Sequence, residues 1–356
     1  MNNRNHRRDR ASWSRREFLS RMSRFALAGA AALPVTCRPV SESSDESPAN
    51  GTVETAEDRS HPVVRIESLD GLDPRGRIDQ QHATRIITES LDQLATESDL
   101  HGIRSSALFA PGERVGIKLN CLAGRGLSPQ PPLIFALIDR LVAAGIKREE
   151  IVVFERTERE LLEAGYTLEH RRGPRFLGND SPGMGYDANP TLHRSIGSCF
   201  ATILTREIDA LINFGVLKDH NLAGLSAGMK NLFGLIHNPN KYHDDNCNPF
   251  VADVLGAPPI QAKLRLTLCD GMVAQYHGGP ALKKRYTWNA GLFLASRDPV
   301  ALDALGLEII AKKRLEQGLP SLEEEGRFPH YIATAARSKL GEARLNKIPV
   351  IESHAR

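Results

Sequence analysis

The chain has 356 residues, 41% hydrophobic and 25% charged, enough for one large domain or two smaller ones that share a sheet. Its formal net charge of +3 misleads: residues 1–32 hold eight Arg against Asp9 and Glu17, and taking these from 46 basic and 43 acidic residues leaves 38 and 41, about −3. The absence of a basic stripe excludes nucleic acid as a partner, and five scattered cysteines without a C-x-x-C step exclude the usual iron–sulfur and structural zinc spacings.

Residues 1–33 read as a twin-arginine signal peptide: Ser14-Arg15-Arg16-Glu17-Phe18-Leu19, a mildly apolar run, then small residues over 28–32. The apolar core at 25–33 is far short of the ~20 residues a membrane span needs, and no later segment is long and apolar enough. The expectation is export by the twin-arginine translocase to the periplasm or beyond, with cleavage near Ala30 or Ala32. Cys37 follows Pro34-Val35-Thr36, a poor lipoprotein box. That route carries folded proteins, so Cys121, Cys199, Cys247 and Cys269 are expected mainly as free buried thiols. Residues 34–60, rich in Ser, Glu and Asp, read as a disordered linker.

From 61 to 353 short apolar runs alternate with amphipathic ones. This predicts an α/β fold with a mainly parallel twisted sheet and helices on both faces, as one domain or two interleaved halves. VVRIESL (63–69) predicts a first strand, and 82–97 a helix with Ile86, Ile87, Leu91 and Leu94 on one face. ERVGIKLN (113–120) alternates Val115, Ile117 and Leu119 and delivers Lys118 and Asn120 near a strand's carboxyl end, where open α/β sheets bind ligands. A helix follows from Pro131 to a stop at Gly145, IVVFER (151–156) is the most strand-like run, and 158–165 makes a short helix. The Gly-, Pro- and Asn-rich stretch 169–190 reads as a long excursion, a lid, ligand loop or insertion. KLRLTLCDG (263–271) predicts a strand running to Asp270-Gly271. Another at 292–296 enters a helix with Asp298 as N-cap, Pro299 at its first position and Asp303 in its first or second turn; 347–353 closes as an edge strand.

The richest stretch is GVLKDHNLAGLSAGMKNLFGLIHNPNKYH (215–243), which follows the strand-like run ALINFGV. It predicts a strand, a polar loop and a small-residue helix. Gly224 and Gly228 each cost such a helix roughly 1 kcal/mol relative to Ala, which a close backbone approach would offset. Lys118, Lys218 and Lys230, with Asn120 and Asn231, are expected around one crevice, a setting for an anionic carboxylate or phosphate. His220, Lys230 and Asp270 are the candidates for proton transfer, and His237 and His243 for a transition metal. Those two histidines are six apart, matching neither H-E-x-x-H nor a zinc-finger spacing. No G-x-G-x-x-G, Walker loop or G-x-S-x-G stands in its proper context, so dinucleotide cofactors, nucleotide hydrolysis and serine hydrolysis are not expected.

VGIKLN (115–120), the block from 211 to 239, and LTLCDGMVAQYHGGP followed by FLASRDPVALDALG together resemble the domain of unknown function 362 family across nearly all of 61–353. The resemblance implies no particular reaction. Some relatives carry ferredoxin-type clusters on an added segment, and this chain lacks the cysteines for one. His220 to Lys230, followed by His237 and His243, is also similar to a segment of the lactate racemase family, whose members use a Lys-anchored nickel-pincer cofactor. That likeness implies Lys230 as anchor, His237 or His243 as nickel ligand and His220 as proton-transfer base. Three readings follow: an exported enzyme of redox or isomerase type with a metal or organic cofactor, a periplasmic anion-binding module, and a fold kept for assembly or envelope interaction.

Overall fold

In the computed structural model, which describes residues 61–100 and 108–354, the apolar runs become strands and the amphipathic ones helices. The expected signal peptide (1–33) and expected linker (34–60), with Cys37, lie outside the described residues. β1 (Val63–Glu67) leads to α1 (Gln80–Leu100), β2 (Val115–Lys118) to α2 (Pro131–Ala143), and β3 (Ile151–Glu155) to α3 (Glu158–Ala164). Then come β4 (Arg175–Gly178), a small hairpin of β5 (Thr191–His193) and β6 (Ile196–Ser198), and the long β7 (Ala210–His220), which turns back as β8 (Gly224–Ser226). The chain continues through α4 (Phe250–Gly256), α5 (Pro258–Gln261), β9 (Leu264–Gln275), β10 (Thr287–Ser296), α6 (Pro299–Glu316), α7 (Tyr331–Arg337) and β11 (Val350–His354).

Local chemistry sets the boundaries. Pro131 and Pro132 open α2, where a missing N–H costs nothing, and Gly145 leaves it with φ +97°. The Thr157 hydroxyl caps α3 by accepting Glu160 N at 3.2 Å. Asp298 caps α6 as expected, accepting Val300 N at 2.8 Å and Ala301 N at 3.0 Å, while its second oxygen takes Glu342 N at 2.8 Å. One carboxylate therefore starts a helix and ties down the C-terminal segment.

The main sheet runs β11-β1-β10-β9-β7-β2-β3-β4, with β8 added to the end of β7. β1, β10 and β9 pair antiparallel, as do β7 and β8; the remaining neighbours are parallel. A core lies on each face: Ile86, Leu94, Leu137 and Leu161 of α1–α3 on one, Val251, Val300, Leu305 and Tyr331 of α4, α6 and α7 on the other. This is the α/β arrangement the alternation predicts, with β11 as the expected edge strand. From β2 the chain moves outward to β3 and β4, then returns as β7 on the other side of β2. The order reverses between β2 and β7, and a crevice outside the carboxyl ends of such strands is where open α/β sheets take ligands.

Two expectations are corrected. The excursion at 169–190 contains β4, which extends the sheet beside β3. The small-residue helix after β7 does not form. Gly224 instead has φ +73° and makes the tight return into β8, where a Cβ would stand 2.3 Å from Arg327 O, and only a 3₁₀ turn, Met229–Leu235, follows. Cys121, Cys199, Cys247 and Cys269 are free, and all but Cys199 are buried.

Candidate functional site

β2, β3 and β7 end side by side, and their last residues, with the 3₁₀ turn and the loop after it, wall a cavity of about 440 Å³. β2 supplies Lys118 and, just beyond it, Asn120; β3 supplies Glu155 and then Arg156; β7 supplies Lys218 and His220. The turn brings Lys230, Asn231 and Phe233, the loop His243, and α3 Glu160. The ladder between β7 and β9 is irregular between Val216 and Lys218, a local break of the kind that re-aims strand-end side chains.

The three lysines differ in what neutralises them. Lys118 Nζ lies 2.9 Å from both oxygens of Glu155 and donates to Asn231 Oδ1 at 3.3 Å, so its charge is matched inside the wall. Glu155 also accepts Arg156 N at 2.7 Å and Cys121 N at 3.1 Å. Lys218, wholly buried, donates to the neutral Asn120 Oδ1 at 2.9 Å, and burial holds its pKa down at about 8. Lys230 sits 4.0 Å above the Phe233 ring with its Nζ 3.2 Å from His243 Nε2, and burial brings its pKa to about 8 as well. Neither of these two makes an ion pair among the described residues.

The hydrogen bonds fix the histidine tautomers. His243 Nδ1 donates to Pro239 O at 3.1 Å, leaving Nε2 to accept from Lys230. His220 Nδ1 accepts Leu222 N and Ala223 N, both at 3.2 Å, which leaves its proton on Nε2. The rings stack with centroids 5.8 Å apart. Burial, then the Lys230 charge, lowers both pKa values, that of His220 to about 2, so both rings are neutral at pH 7. His220, expected as a base, presents a donor hydrogen instead. Behind it, Arg327 donates to His220 O at 3.2 Å and pairs with the buried Asp219.

Asp270 and His237 stand elsewhere. Asp270 leaves β9 on the face of Leu268 and Met272, where it accepts Gln130 N at 2.9 Å and Met272 N at 2.8 Å and so pins the start of α2; burial raises its pKa to about 6. His237 is exposed and packs edge-on against Tyr186 at 5.1 Å. The expected pair of metal histidines is thus separated, and no group of three His, Cys, Asp or Glu among the described residues suits a metal ion.

Sequence reasoning missed Glu155, Arg156 and Glu160. A charged pair ending the apolar run IVVFER at a strand's carboxyl end was the available signal. It also missed what holds the turn. Asp303 of α6, fully buried, accepts Gly228 N at 2.6 Å and Met229 N at 3.1 Å, and Asn213 of β7 bonds Gly228 O and Asn231, both at 2.8 Å.

The sequence profile described as "Domain of unknown function (DUF362)" matches residues 115–308. The chain belongs to this family. The DUF362 match runs from the first residue of β2 into α6 and takes in every cavity residue named above, together with Asp303. No curated protein matches. A crystal structure of a protein from Thermotoga maritima is similar at 12% identity and a TM-score of 0.37, over 68% of this chain and 60% of that one. This DUF362 chain therefore spans less than two thirds of that structure's length.

Proposed function

We propose that the cavity is the site of an enzyme acting on a small anion, in which Lys218 and Lys230 hold the charge, Lys230 and His243 move protons, and the Nε2 hydrogen of His220 is donated to the bound anion. The observation that carries this reading is that Lys218 and Lys230 face one cavity and neither makes an ion pair among the described residues, Glu155 of that cavity being taken by Lys118 and Glu160 by Arg156. Buried charge without a partner is costly, and an anion between the two amines offsets that cost. An amine of pKa near 8 beside a neutral imidazole acceptor is matched to proton transfer near neutral pH. The twin-arginine pattern supports export as the companion proposal.

Calorimetric titration of the full chain with acetate and with phosphate tests the binding, and deuterium uptake at the α-carbon of bound carboxylates in heavy water tests the chemistry. Binding that falls at least tenfold in Lys218→Met, with no loss of melting temperature, is expected. Equal binding by that variant would sink the anion site, and tight binding with no exchange of any carboxylate would favour the anion-binding module. One observation supports a racemase or epimerase carrying a Lys-anchored nickel cofactor: Lys230 and His243 meet in the cavity. In that case Lys230 is the anchor and His243 the histidine ligand, and intact mass on the same preparation reads an adduct on Lys230.

A further inference from the structure

Glu160 is the cavity's unfinished group. It sits in the first turn of α3, is 2% exposed and lines the cavity. Its Oε1 takes the Arg156 guanidinium, while Oε2 is buried with no hydrogen-bond partner. Buried carboxylate oxygens almost always have donors, because an unmade bond to a charged group costs more than one to a neutral group. Burial, then the neighbouring Glu155 charge, raises the Glu160 pKa, as expected for a carboxyl short of donors.

We propose that Glu160 sets the ligand class: its Oε2 accepts a hydroxyl hydrogen from a small hydroxycarboxylate whose carboxylate lies between Lys218 and Lys230. This rests on the anion reading of the same cavity and adds what else the anion must carry. The missing donor is a hydroxyl rather than an ammonium because of the charge already there. Lys118, Arg156, Lys218 and Lys230 stand against Glu155 and Glu160, a surplus of two positive charges that an ammonium would enlarge and a hydroxyl leaves alone. The remaining wall includes Leu122, Leu222 and Phe233, which favours a carbon skeleton over an inorganic ion.

The test compares glycolate, fluoroacetate and acetate by calorimetry on the full chain, with phosphate as a reference anion. Fluorine replaces the hydroxyl at similar size and has no hydrogen to donate. Glycolate is expected to bind about tenfold or more tightly than either analogue, the usual discrimination of a hydrogen bond to a charged group. Glycine should bind no better than acetate. In Glu160→Met the ratio of glycolate to acetate affinity should fall to about one, whatever the loss of the carboxylate's charge does to both. Fluoroacetate matching glycolate in the wild type overturns the proposal without any variant having to fold, and so does a preference that survives in Glu160→Met. Phosphate binding without preference for glycolate overturns it while leaving the anion site standing; no binding of any of these anions removes both.

Discussion

Lys218 is a cation with a neutral partner, and its titration links folding to binding. Its folded pKa of about 8 lies below the ~10.4 of a free lysine, so between these values the unfolded chain binds the extra proton. Stability without ligand therefore rises with pH across that window, and the deficit is fully present below pH 8, on the order of 3 kcal/mol. Carboxylate affinity runs the other way. It is greatest below pH 8, where the ammonium is charged, and falls by up to about tenfold per unit above it. Titration of acetate from pH 7 to 9.5 should show this fall, and a flat profile would mean that Lys218 does not bear the anion. The residues that make Lys218 distinctive were only half legible. Lysines at strand ends could be found from the pattern, but Glu155, which cancels Lys118, could not be assigned, because pairing depends on β2 and β3 being neighbours.

At the scale of elements, most strands and helices followed from periodicity, because apolar alternation and caps such as Thr157 and Asp298 act locally. The segment after β7 did not. Its small residues suit a helix and a tight hairpin equally, and the decision lies with groups far along the chain: Arg327 O against Gly224, and Asp303 beneath Gly228. Asp303 thus positions the turn that carries Lys230. Asp303→Ala leaves the Gly228 and Met229 amides without their acceptor and should cost about 2–4 kcal/mol in urea unfolding. Asp303→Asn should cost less, since its amide oxygen still accepts one of them. Acetate affinity should fall in both, because the turn is no longer held. Wild-type stability in Asp303→Ala would show that α6 does not organise the site.

At the scale of the whole molecule, strand order was not readable, because pairing joins residues that are distant in sequence. β1 pairs with β10 and β11, Val63 opposite Ser296 and Val350, so the first strand has no neighbours until almost the entire chain is made. Folding dominated by such pairings is slow and follows synthesis. This fits the proposed export route, which carries proteins already folded, and a site whose walls come from positions 118 to 280 has to be assembled before export. Changing Arg15 and Arg16 to Lys should leave the protein folded but retained inside the cell, at an unchanged melting temperature, since the described strands lie within 63–354. Fractionation and protease resistance read the outcome. Equal export of the doubly changed chain would remove the twin-arginine assignment, and loss of folded protein in that variant would mean that residues 15 and 16 serve the fold.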